Sequence, residues 1–336
     1  MLRNKTILIT GSNGFIGSNL AIRLLKDFEG IRIIGIDNMN DYYDVSLKEY
    51  RLEKINSLNK DYTFIKGDIS DKAFIDKVFE DYKFDIVVNL AAQAGVRYSI
   101  ENPGVYIASN IIGFYNILEA VRNHPIEHLL YASSSSVYGG NKKVPFSTDD
   151  KVDNPVSLYA TTKKSNELMA HTYTHLYGIK STGLRFFTVY GPAGRPDMAY
   201  FSFTNKLLNN EKIKIFNYGQ CERDFTYIDD IVEGIERIMV KGPKEDYNVY
   251  NIGNSHPENL MDFVDILAKA LIENEILPAD FDISDHMELL PMQPGDVPVT
   301  YSDTSPLEND YGFRPATSLK DGLNSFAAWY REFYKK

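Results

Sequence analysis

The 336-residue sequence contains one cysteine, Cys221, and only six histidines. A single cysteine excludes an intrachain disulfide framework and a metal site built from several cysteines. The formal net charge of −10 leaves no excess of basic residues, which argues against binding of a nucleic-acid backbone. No uninterrupted apolar run approaches the roughly 20 residues of a membrane span, and the first residues lack a signal-peptide pattern. These absences predict a cytoplasmic protein that binds neither nucleic acid nor membrane.

The composition is that of an ordinary globular protein, with 43% hydrophobic and 24% charged residues. Along the first 135 residues, short apolar segments alternate with segments whose apolar residues recur at helical spacing. The apolar segments cover residues 6–10, 31–36, 62–65, 86–90 and 129–132. This alternation is typical of βαβ units, and strands that are apolar throughout are buried on both faces of a parallel sheet. We therefore predict an α/β fold with a Rossmann-type doubly wound parallel sheet.

A glycine-rich loop, Gly11-Ser12-Asn13-Gly14-Phe15-Ile16-Gly17, joins the first predicted strand to the first predicted helix. Glycines at this spacing let the backbone approach a pyrophosphate, whose charge then lies at the helix N-terminus. Asp37 ends the second predicted strand. A carboxylate at that position accepts hydrogen bonds from an adenosine ribose and repels a 2′-phosphate. The pattern favours NAD over NADP as the cofactor.

Other candidate cofactor contacts follow the predicted strands at their carboxyl ends, where an open parallel sheet binds its ligand. With the loop, the candidates are Gly11, Asn13, Gly14, Phe15, Ile16, Gly17, Asp37, Asn38, Asp68, Ile69, Leu90, Ala91 and Ala92. A glycine-rich turn without a ligand is the alternative. It gives no reason for a strand, a helix and an acidic residue to occur together with the glycines.

Tyr159 and Lys163 are four residues apart, so both side chains lie on one face of a helix. A lysine ammonium near a phenol lowers the pKa of the phenol, which makes the tyrosine a candidate general base. The same spacing occurs in three further pairs, Tyr50 and Lys54, Tyr62 and Lys66, and Tyr138 and Lys142. Context favours the Tyr159 pair, because four consecutive serines at 133–136 precede it at the end of the fifth predicted strand.

The glycine-rich loop, the Ser-Ser-Val-Tyr-Gly segment at 135–139 and the Tyr-x-x-x-Lys pair resemble the extended short-chain dehydrogenase/reductase superfamily. The resemblance covers nearly the whole chain. It is closest to the nucleotide-sugar epimerase branch, and in that branch to the UDP-glucuronate 4-epimerases. The segments that carry it are AAQAGVR at 91–97, RFFTVYGP at 185–192, RPDMA at 195–199 and MQPGDV at 292–297.

The resemblance implies roles for individual residues. Ser134, Tyr159 and Lys163 match the catalytic serine or threonine, the tyrosine base and its lysine partner, which also holds the nicotinamide ribose. The implied substrate-binding residues are Arg97, Ser134, Ser135, Ser136, Thr188, Arg195, Arg223 and Asp296. Arg223 matches the arginine that binds the diphosphate, and Asp296 matches the residue that holds the uridine ribose. Arg195 matches a helper for the carboxylate or diphosphate. A solvated arginine without such a role is the alternative for Arg195.

The resemblance also implies an activity. It is the NAD-dependent C4 epimerisation of UDP-glucuronate to UDP-galacturonate, through a transient 4-keto sugar and with tightly bound NAD. Related decarboxylases and dehydratases carry acidic residues where Ser135 and Ser136 stand, which argues against loss of CO₂ or water. A 4-epimerase of neutral UDP-sugars and a non-catalytic NAD-binding interaction module are the alternatives. The intact Ser134, Tyr159 and Lys163 argue against the second alternative.

The predicted organisation has two interleaved domains. Residues 1–180 and about 226–255 form the NAD-binding Rossmann domain, and about 181–225 and 256–336 form a smaller α/β domain for the nucleotide sugar. Apolar helical segments at 106–121 and 165–177 fit the helix bundle through which the resemblance implies a homodimer. Two histidine pairs at i, i+4 spacing lack an H-E-x-x-H arrangement, so no metal site is predicted.

Overall fold

The structure is a computed structural model that describes residues 2–292 and 298–335. The strands of this described part are β1 (Thr6–Thr10), β2 (Arg32–Asp37), β3 (Tyr62–Lys66), β4 (Ile86–Asn89), β5 (His128–Ser134), β6 (Ser181–Phe186), β7 (Thr188–Tyr190), β8 (Ile213–Ile215), β9 (Glu222–Tyr227), β10 (Tyr247–Ile252), β11 (Pro257–Asn259), β12 (Met287–Leu289) and β13 (Val299–Thr300).

The α-helices of the same part are α1 (Phe15–Asp27), α2 (Ser46–Asn56), α3 (Lys72–Asp81), α4 (Tyr98–Glu101), α5 (Pro103–Tyr106), α6 (Gly113–Asn123), α7 (Leu158–Tyr177), α8 (Ala199–Leu208), α9 (Ile228–Lys241), α10 (Leu260–Glu273), α11 (Ser305–Tyr311) and α12 (Leu319–Tyr334). A π-helical segment, Ile107–Ile112, joins α5 to α6, and short 3₁₀ turns cover Ser135–Tyr138, Phe216–Gly219 and Ile283–His286.

Seven strands form one parallel sheet in the order β10-β6-β5-β4-β1-β2-β3. The strand order reverses between β1 and β4, which creates a crevice at their carboxyl ends. Side chains of β1 alternate between the two faces of the sheet. Ile7 and Ile9 pack in a core with residues of α1 and α9, while Leu8 packs in a second core with residues of α3, α6 and α7. The predicted fold class is therefore confirmed.

A third core lies outside the large sheet and is rich in aromatic residues. Phe201 of α8, Phe263 of α10 and Phe326 and Trp329 of α12 are buried in it. Two small sheets adjoin these helices: β9 pairs with β7, β11 and β13, and β12 pairs with β8. One predicted boundary needs correction, because β6 is an inner strand of the seven-stranded sheet although it begins after residue 180. The rest of the domain division remains a prediction.

Local signals fix the two helices that matter most for the site. The Ser157 hydroxyl accepts a hydrogen bond from the Ala160 amide at 3.1 Å and thereby caps the N-terminus of α7. Gly178 ends α7 in the left-handed region at φ +68°. By contrast, α1 begins after Gly14, which provides no side-chain cap, and its first turn contains no acidic residue. The N-terminal amide groups of α1 are thus available to an anion.

The segments α5, Ile107–Ile112 and α6 run on as one helix of 21 residues, Pro103–Asn123. By length and composition alone it is apolar enough to cross a membrane, and half of its apolar window is buried inside the protein. This is weak evidence for a membrane span, since a core helix meets the same criterion. The sequence analysis predicted a helical segment at 106–121 within this helix, and Asn110, Asn116 and Glu119 interrupt its apolar run.

Candidate active site

A cavity of about 470 Å³ opens at the carboxyl ends of β1, β4 and β5. Nineteen of the predicted site residues line it: Gly11, Gly14, Phe15, Ile16, Gly17, Asp37, Asn38, Asp68, Ile69, Leu90, Ala91, Ala92, Ser134, Ser135, Ser136, Tyr159, Lys163, Thr188 and Arg195. Sequence positions from 11 to 195 therefore converge on one cavity. The parallel sheet accounts for this, because it brings the residues after each strand to the same edge.

The glycine-rich loop passes close to the segment that follows β4. Gly11 has φ +69°, and a Cβ atom at this position would lie 2.8 Å from the Ala91 nitrogen. A Cβ at Gly17 would lie 2.2 Å from the Gly11 carbonyl oxygen. These two glycines are needed for close packing of the loop, as the spacing indicates. The loop leads directly into the uncapped N-terminus of α1, which faces the cavity through Phe15 and Ile16.

Asp37 is buried at the carboxyl end of β2 and receives amide hydrogen bonds from Asn13 at 3.2 Å and Met39 at 2.8 Å. Lys48 of α2 is also buried, and its Nζ lies 3.6 Å from a carboxylate oxygen of Asp37. Lys48 also donates to Asn40 at 2.9 Å and lines the cavity. The sequence analysis missed Lys48, since a lysine in a polar helix carries no signal of burial.

Asp68 and Asn38 form a second polar pair in the cavity wall. The Asn38 side-chain amide donates to the Asp68 carboxylate at 2.8 Å. Burial by itself would raise the pKa of Asp68, but hydrogen bonds from Asn38 and Ser70 outweigh burial and lower it. The carboxylate of Asp68 is therefore ionised at neutral pH and is held in a defined position.

Tyr159 lines the cavity, and the hydroxyl of Ser134 and the guanidinium of Arg195 lie near enough to interact with its phenol. Burial raises the pKa of Tyr159 above its ordinary value, and so does the charge of Asp197, whereas a hydrogen bond with Ser134 and the charge of Arg195 act to lower it. The sequence predicted that Lys163 would lower this pKa. In the structure, Lys163 donates instead to the Ala132 carbonyl oxygen at 2.9 Å, and burial lowers its own pKa to about 8.

A buried ion pair supports the serine-bearing end of β5. The Glu167 carboxylate accepts hydrogen bonds from Ser133 at 2.7 Å and from Arg185 at 2.8 and 2.9 Å. Arg185 also donates to the Tyr138 hydroxyl at 3.0 Å. This network links β5, β6 and α7 directly behind Ser134 and Tyr159. The bidentate contact holds α7, which carries Tyr159, against β6, and the single bond from Ser133 holds α7 against β5, which carries Ser134.

Arg195 forms a bidentate ion pair with Asp197, and both residues line the cavity. Asp197 also accepts a hydrogen bond from the Tyr42 hydroxyl at 3.3 Å. The guanidinium is near enough to Tyr159 to affect its pKa. An ion pair thus lies beside the candidate base, and its two charges act on the pKa of Tyr159 in opposite directions. Thr188, Ser135 and Ser136 complete this end of the cavity with neutral hydroxyl groups.

Four predicted site residues do not line the cavity or cannot be placed there. The Asn13 side chain is buried behind the loop and contacts the Met39 sulfur at 3.1 Å. The Arg97 guanidinium lies 5.8 Å from the centre of the Phe216 ring. Arg223 donates to the carbonyl oxygens of Glu222 at 2.9 Å and Pro298 at 3.0 Å. Asp296 lies outside the described residues. The implied roles of these four residues remain predictions.

Within residues 2–292 and 298–335, no group of three or more His, Cys, Asp or Glu side chains is arranged to hold a metal ion. His128 has instead a hydrogen-bonded contact with the Thr182 hydroxyl at 2.8 Å. His171 packs edge-on against the Tyr247 ring at 5.0 Å. These contacts account for one member of each histidine pair noted in the sequence.

Known proteins resemble the chain over nearly its full length. It is 53% identical to Protein CapI of Staphylococcus aureus, covering 98% of this chain and 99% of that protein. It is 45% identical to UDP-glucuronate 4-epimerase 2 of Arabidopsis thaliana, covering 98% of this chain and 77% of that protein. The crystal structure of UDP-glucuronic acid 4-epimerase from Bacillus cereus, in complex with UDP-glucuronic acid and NAD, superposes with a TM-score of 0.87 at 32% identity, covering 98% of this chain and 100% of that one.

A family model also matches the part of the sequence that contains the cavity residues. The model of the NAD dependent epimerase/dehydratase family matches residues 7–253. This range contains the glycine-rich loop, Asp37, the serines after β5 and the Tyr159 pair. The chain therefore belongs to the NAD dependent epimerase/dehydratase family.

Proposed function

We propose that this protein is an isomerase that interconverts UDP-glucuronate and UDP-galacturonate by NAD-dependent epimerisation at C4. The observation that carries the proposal is the meeting of Ser134, Tyr159 and Arg195 at one end of the cavity, with the glycine-rich loop in the same cavity. A phenol and a guanidinium side by side suit a substrate that presents both a hydroxyl and a carboxylate. The Arabidopsis and Bacillus relatives with this specificity support the same substrate.

The residues present fit NAD. The uncapped N-terminus of α1, without an acidic first turn, suits a pyrophosphate. The buried Asp37 carboxylate suits the ribose hydroxyls and disfavours a 2′-phosphate. Lys163 would hold the nicotinamide ribose from the other end of the cavity. Bound NAD supplies the hydride acceptor and, in the return step, the hydride donor.

In the proposed mechanism, the chain's own residues handle the proton and the orientation of the sugar. The Tyr159 oxygen takes the proton of the sugar 4-hydroxyl as that carbon becomes a ketone. The Ser134 hydroxyl donates a hydrogen bond to the Tyr159 oxygen and thereby stabilises the tyrosinate form of the base. The 4-keto sugar then rotates within the cavity and presents its opposite face. Tyr159 returns the proton after the hydride has reached the opposite face, which gives the C4 epimer.

The neutral hydroxyl groups around the sugar favour epimerisation over decarboxylation. A 4-keto uronate is a β-keto acid and tends to lose CO₂. Ser135 and Ser136 supply no acidic side chain at the positions where related decarboxylases and dehydratases carry one. We further propose that the Arg195 guanidinium holds the uronate carboxylate. In this role it would exchange its bidentate contact with Asp197 for one with the substrate.

Residues outside the cavity lining are proposed to bind the nucleotide part of the substrate. We propose Arg97 and Arg223 as phosphate-binding residues and Asp296 as the ribose-binding residue. Both arginines are at least partly accessible in the described structure. Positive side chains are needed here because the chain carries a net charge of −10 and its substrate is itself anionic.

We also propose that the protein is a cytoplasmic homodimer that takes part in polysaccharide biosynthesis. Large apolar side chains are exposed on two neighbouring helical segments, 98–123 and 158–177. They are Ile100, Ile107, Ile112, Tyr115, Leu168, Leu176 and Tyr177. Several large apolar side chains exposed on neighbouring helices are typical of a subunit interface. Two copies of the pair would form a four-helix bundle.

The proposed activity can be tested by incubating the purified protein separately with UDP-glucuronate, UDP-glucose and UDP-xylose. NMR of the products reports the configuration at C4, and released CO₂ reports decarboxylation. Inversion at C4 of UDP-glucuronate with little CO₂ is the expected result. Turnover of UDP-glucose without turnover of UDP-glucuronate would replace the proposal by a neutral-sugar epimerase. No turnover of any sugar would leave the interaction-module alternative.

A further inference from the structure

Arg51 of α2 is 2% exposed and has an unusual set of partners. Its guanidinium makes five hydrogen bonds, and every acceptor is an uncharged oxygen. Among residues 2–292 and 298–335, no carboxylate forms an ion pair with it. Burying a charge without a counter-ion is costly unless each donor is satisfied. That cost points to a role for Arg51 beyond filling space.

Four of the five bonds connect two loops that are about 180 residues apart in the sequence. On one side, Nη1 donates to the Asn13 carbonyl oxygen in the glycine-rich loop at 3.0 Å. On the other side, Nε and Nη2 donate to the Ala193 carbonyl oxygen at 3.0 and 2.7 Å, and Nη2 also donates to Gly194 at 3.0 Å. Nη1 additionally contacts the Tyr43 hydroxyl at 2.7 Å. The cofactor loop and the loop at 191–194 are thus joined through one side chain.

The loop at 191–194 needs such support because of its backbone conformation. Ala193 lies in the left-handed region at φ +52°, which is unfavourable for a residue with a Cβ atom. The Ala193 carbonyl receives two of the Arg51 hydrogen bonds. Only a planar guanidinium presents donors in a fixed fork that can reach carbonyls of both loops at once. A lysine at this position would keep the charge and lose the fork.

The loop held by Arg51 leads directly into Arg195, whose guanidinium lies beside Tyr159. We propose that Arg51 is a positioning residue: by tying residues 193–194 to the glycine-rich loop, it sets where Arg195 meets the substrate carboxylate. This inference rests on the proposed function only in assigning the carboxylate to Arg195. The anchoring of the two loops is independent of the substrate.

The test compares Arg51→Met and Arg51→Lys with Lys54→Met, an exposed residue on the same helix. Hydrogen–deuterium exchange of the NAD-loaded protein is measured for peptides covering 11–17 and 191–198. Faster exchange in both peptides is expected for the two Arg51 variants, and wild-type exchange is expected for Lys54→Met. Steady-state kinetics with UDP-glucuronate and binding of UDP, which lacks the carboxylate, are measured on the same samples.

We expect KM for UDP-glucuronate to rise about tenfold or more in both Arg51 variants, since a misplaced arginine loses a charge-assisted contact. The dissociation constant of UDP should stay within about twofold of wild type. Arg51→Lys keeps the charge and provides the test if Arg51→Met does not fold. A folded Arg51 variant with wild-type KM for UDP-glucuronate would overturn the proposal. A loss of UDP affinity as large as the rise in KM would also overturn it, because general damage to the site would then explain the two changes. If the wild-type protein does not act on UDP-glucuronate, the proposed function fails, while unchanged exchange in the two peptides would refute the anchoring by itself.

Discussion

At the scale of single residues, the site combines the phenol of Tyr159, the hydroxyl of Ser134 and the guanidinium of Arg195, and the effect of each neighbour on the pKa of the phenol can be named. Ser134 and Arg195 both act to lower the pKa of Tyr159, while burial and the charge of Asp197 raise it. The sequence predicted Tyr159 as the base, and the structure places it in the cavity lining, but the sequence assigned the electrostatic effect to Lys163. Spacing along a helix shows which side chains share a face. It does not show which carbonyl oxygen a lysine will find, and here Ala132 takes that place.

Replacement of Tyr159 by phenylalanine removes the proposed base and little else. The turnover number should fall by roughly 10²- to 10⁴-fold, because the sugar hydroxyl loses its proton acceptor. The amount of NAD released from denatured protein should remain that of wild type. Tyr50→Phe is a matched control, since Tyr50 and Lys54 have the same spacing but lie outside the cavity lining. An active Tyr159→Phe variant would refute the proposed base.

Lys48 gives a second prediction at this scale. Lys48→Met leaves the buried carboxylate of Asp37, the proposed ribose-binding group, without its nearby cation. We expect the affinity for NAD to fall by about tenfold, in line with the loss of one charge-assisted contact. The measurement is the amount of NAD per protomer after dialysis, with Lys54→Met as the control. Wild-type NAD content in Lys48→Met would show that the ion pair has no role in cofactor retention.

At the scale of elements, α2 (Ser46–Asn56) explains why part of the site escapes sequence analysis. Amphipathic patterns assume that charged residues face water and apolar residues face the core. On α2 the charged residues Lys48 and Arg51 are buried together with Leu47 and Ile55. Their buried positions depend on Asp37 and on the loops at 11–17 and 191–194, which lie far away in the sequence. No local pattern could have identified them.

The strands behave in the opposite way and were largely predictable. β1 and β4 are continuous apolar segments because both of their faces pack against helices. Gly11 and Asp37 were predictable for the same reason, since each directly follows a recognisable strand. The placement of β6 was not, because its partners β5 and β10 are brought beside it only by the completed sheet.

The buried pair between α7 and β6 gives a prediction about stability. Glu167→Gln removes the charge that compensates Arg185 and is expected to destabilise the protein by about 3 kcal/mol. Chemical denaturation measures the difference in unfolding free energy. Glu53→Gln, at an exposed position on α2, should change it by less than about 0.5 kcal/mol. Equal unfolding free energies of Glu167→Gln and Glu53→Gln would mean that Ser133 and Arg185 form hydrogen bonds with other acceptors when the Glu167 carboxylate is lost.

At the scale of the whole molecule, the proposed dimer predicts a change of mass on mutation of the apolar face. Leu168→Glu combined with Ile112→Glu places charges among exposed apolar side chains on two neighbouring helices. Light scattering after size-exclusion chromatography should report a dimer for wild type and a monomer for the double variant. Leu289→Glu, an equally exposed leucine on β12, should remain dimeric. A monomeric wild-type protein would contradict the proposed assembly.

The helix Pro103–Asn123 carries Ser109 in the cavity lining, while Ile107 and Ile112 point away into solvent. One face of this helix therefore forms a wall of the cavity, and its opposite face would form the proposed subunit contact. Association would restrain this helix, and separation would release it. Catalysis then becomes a function of protein concentration: specific activity should decline as the enzyme is diluted below its dimer dissociation constant, and the midpoint of that decline should match the one obtained from light scattering.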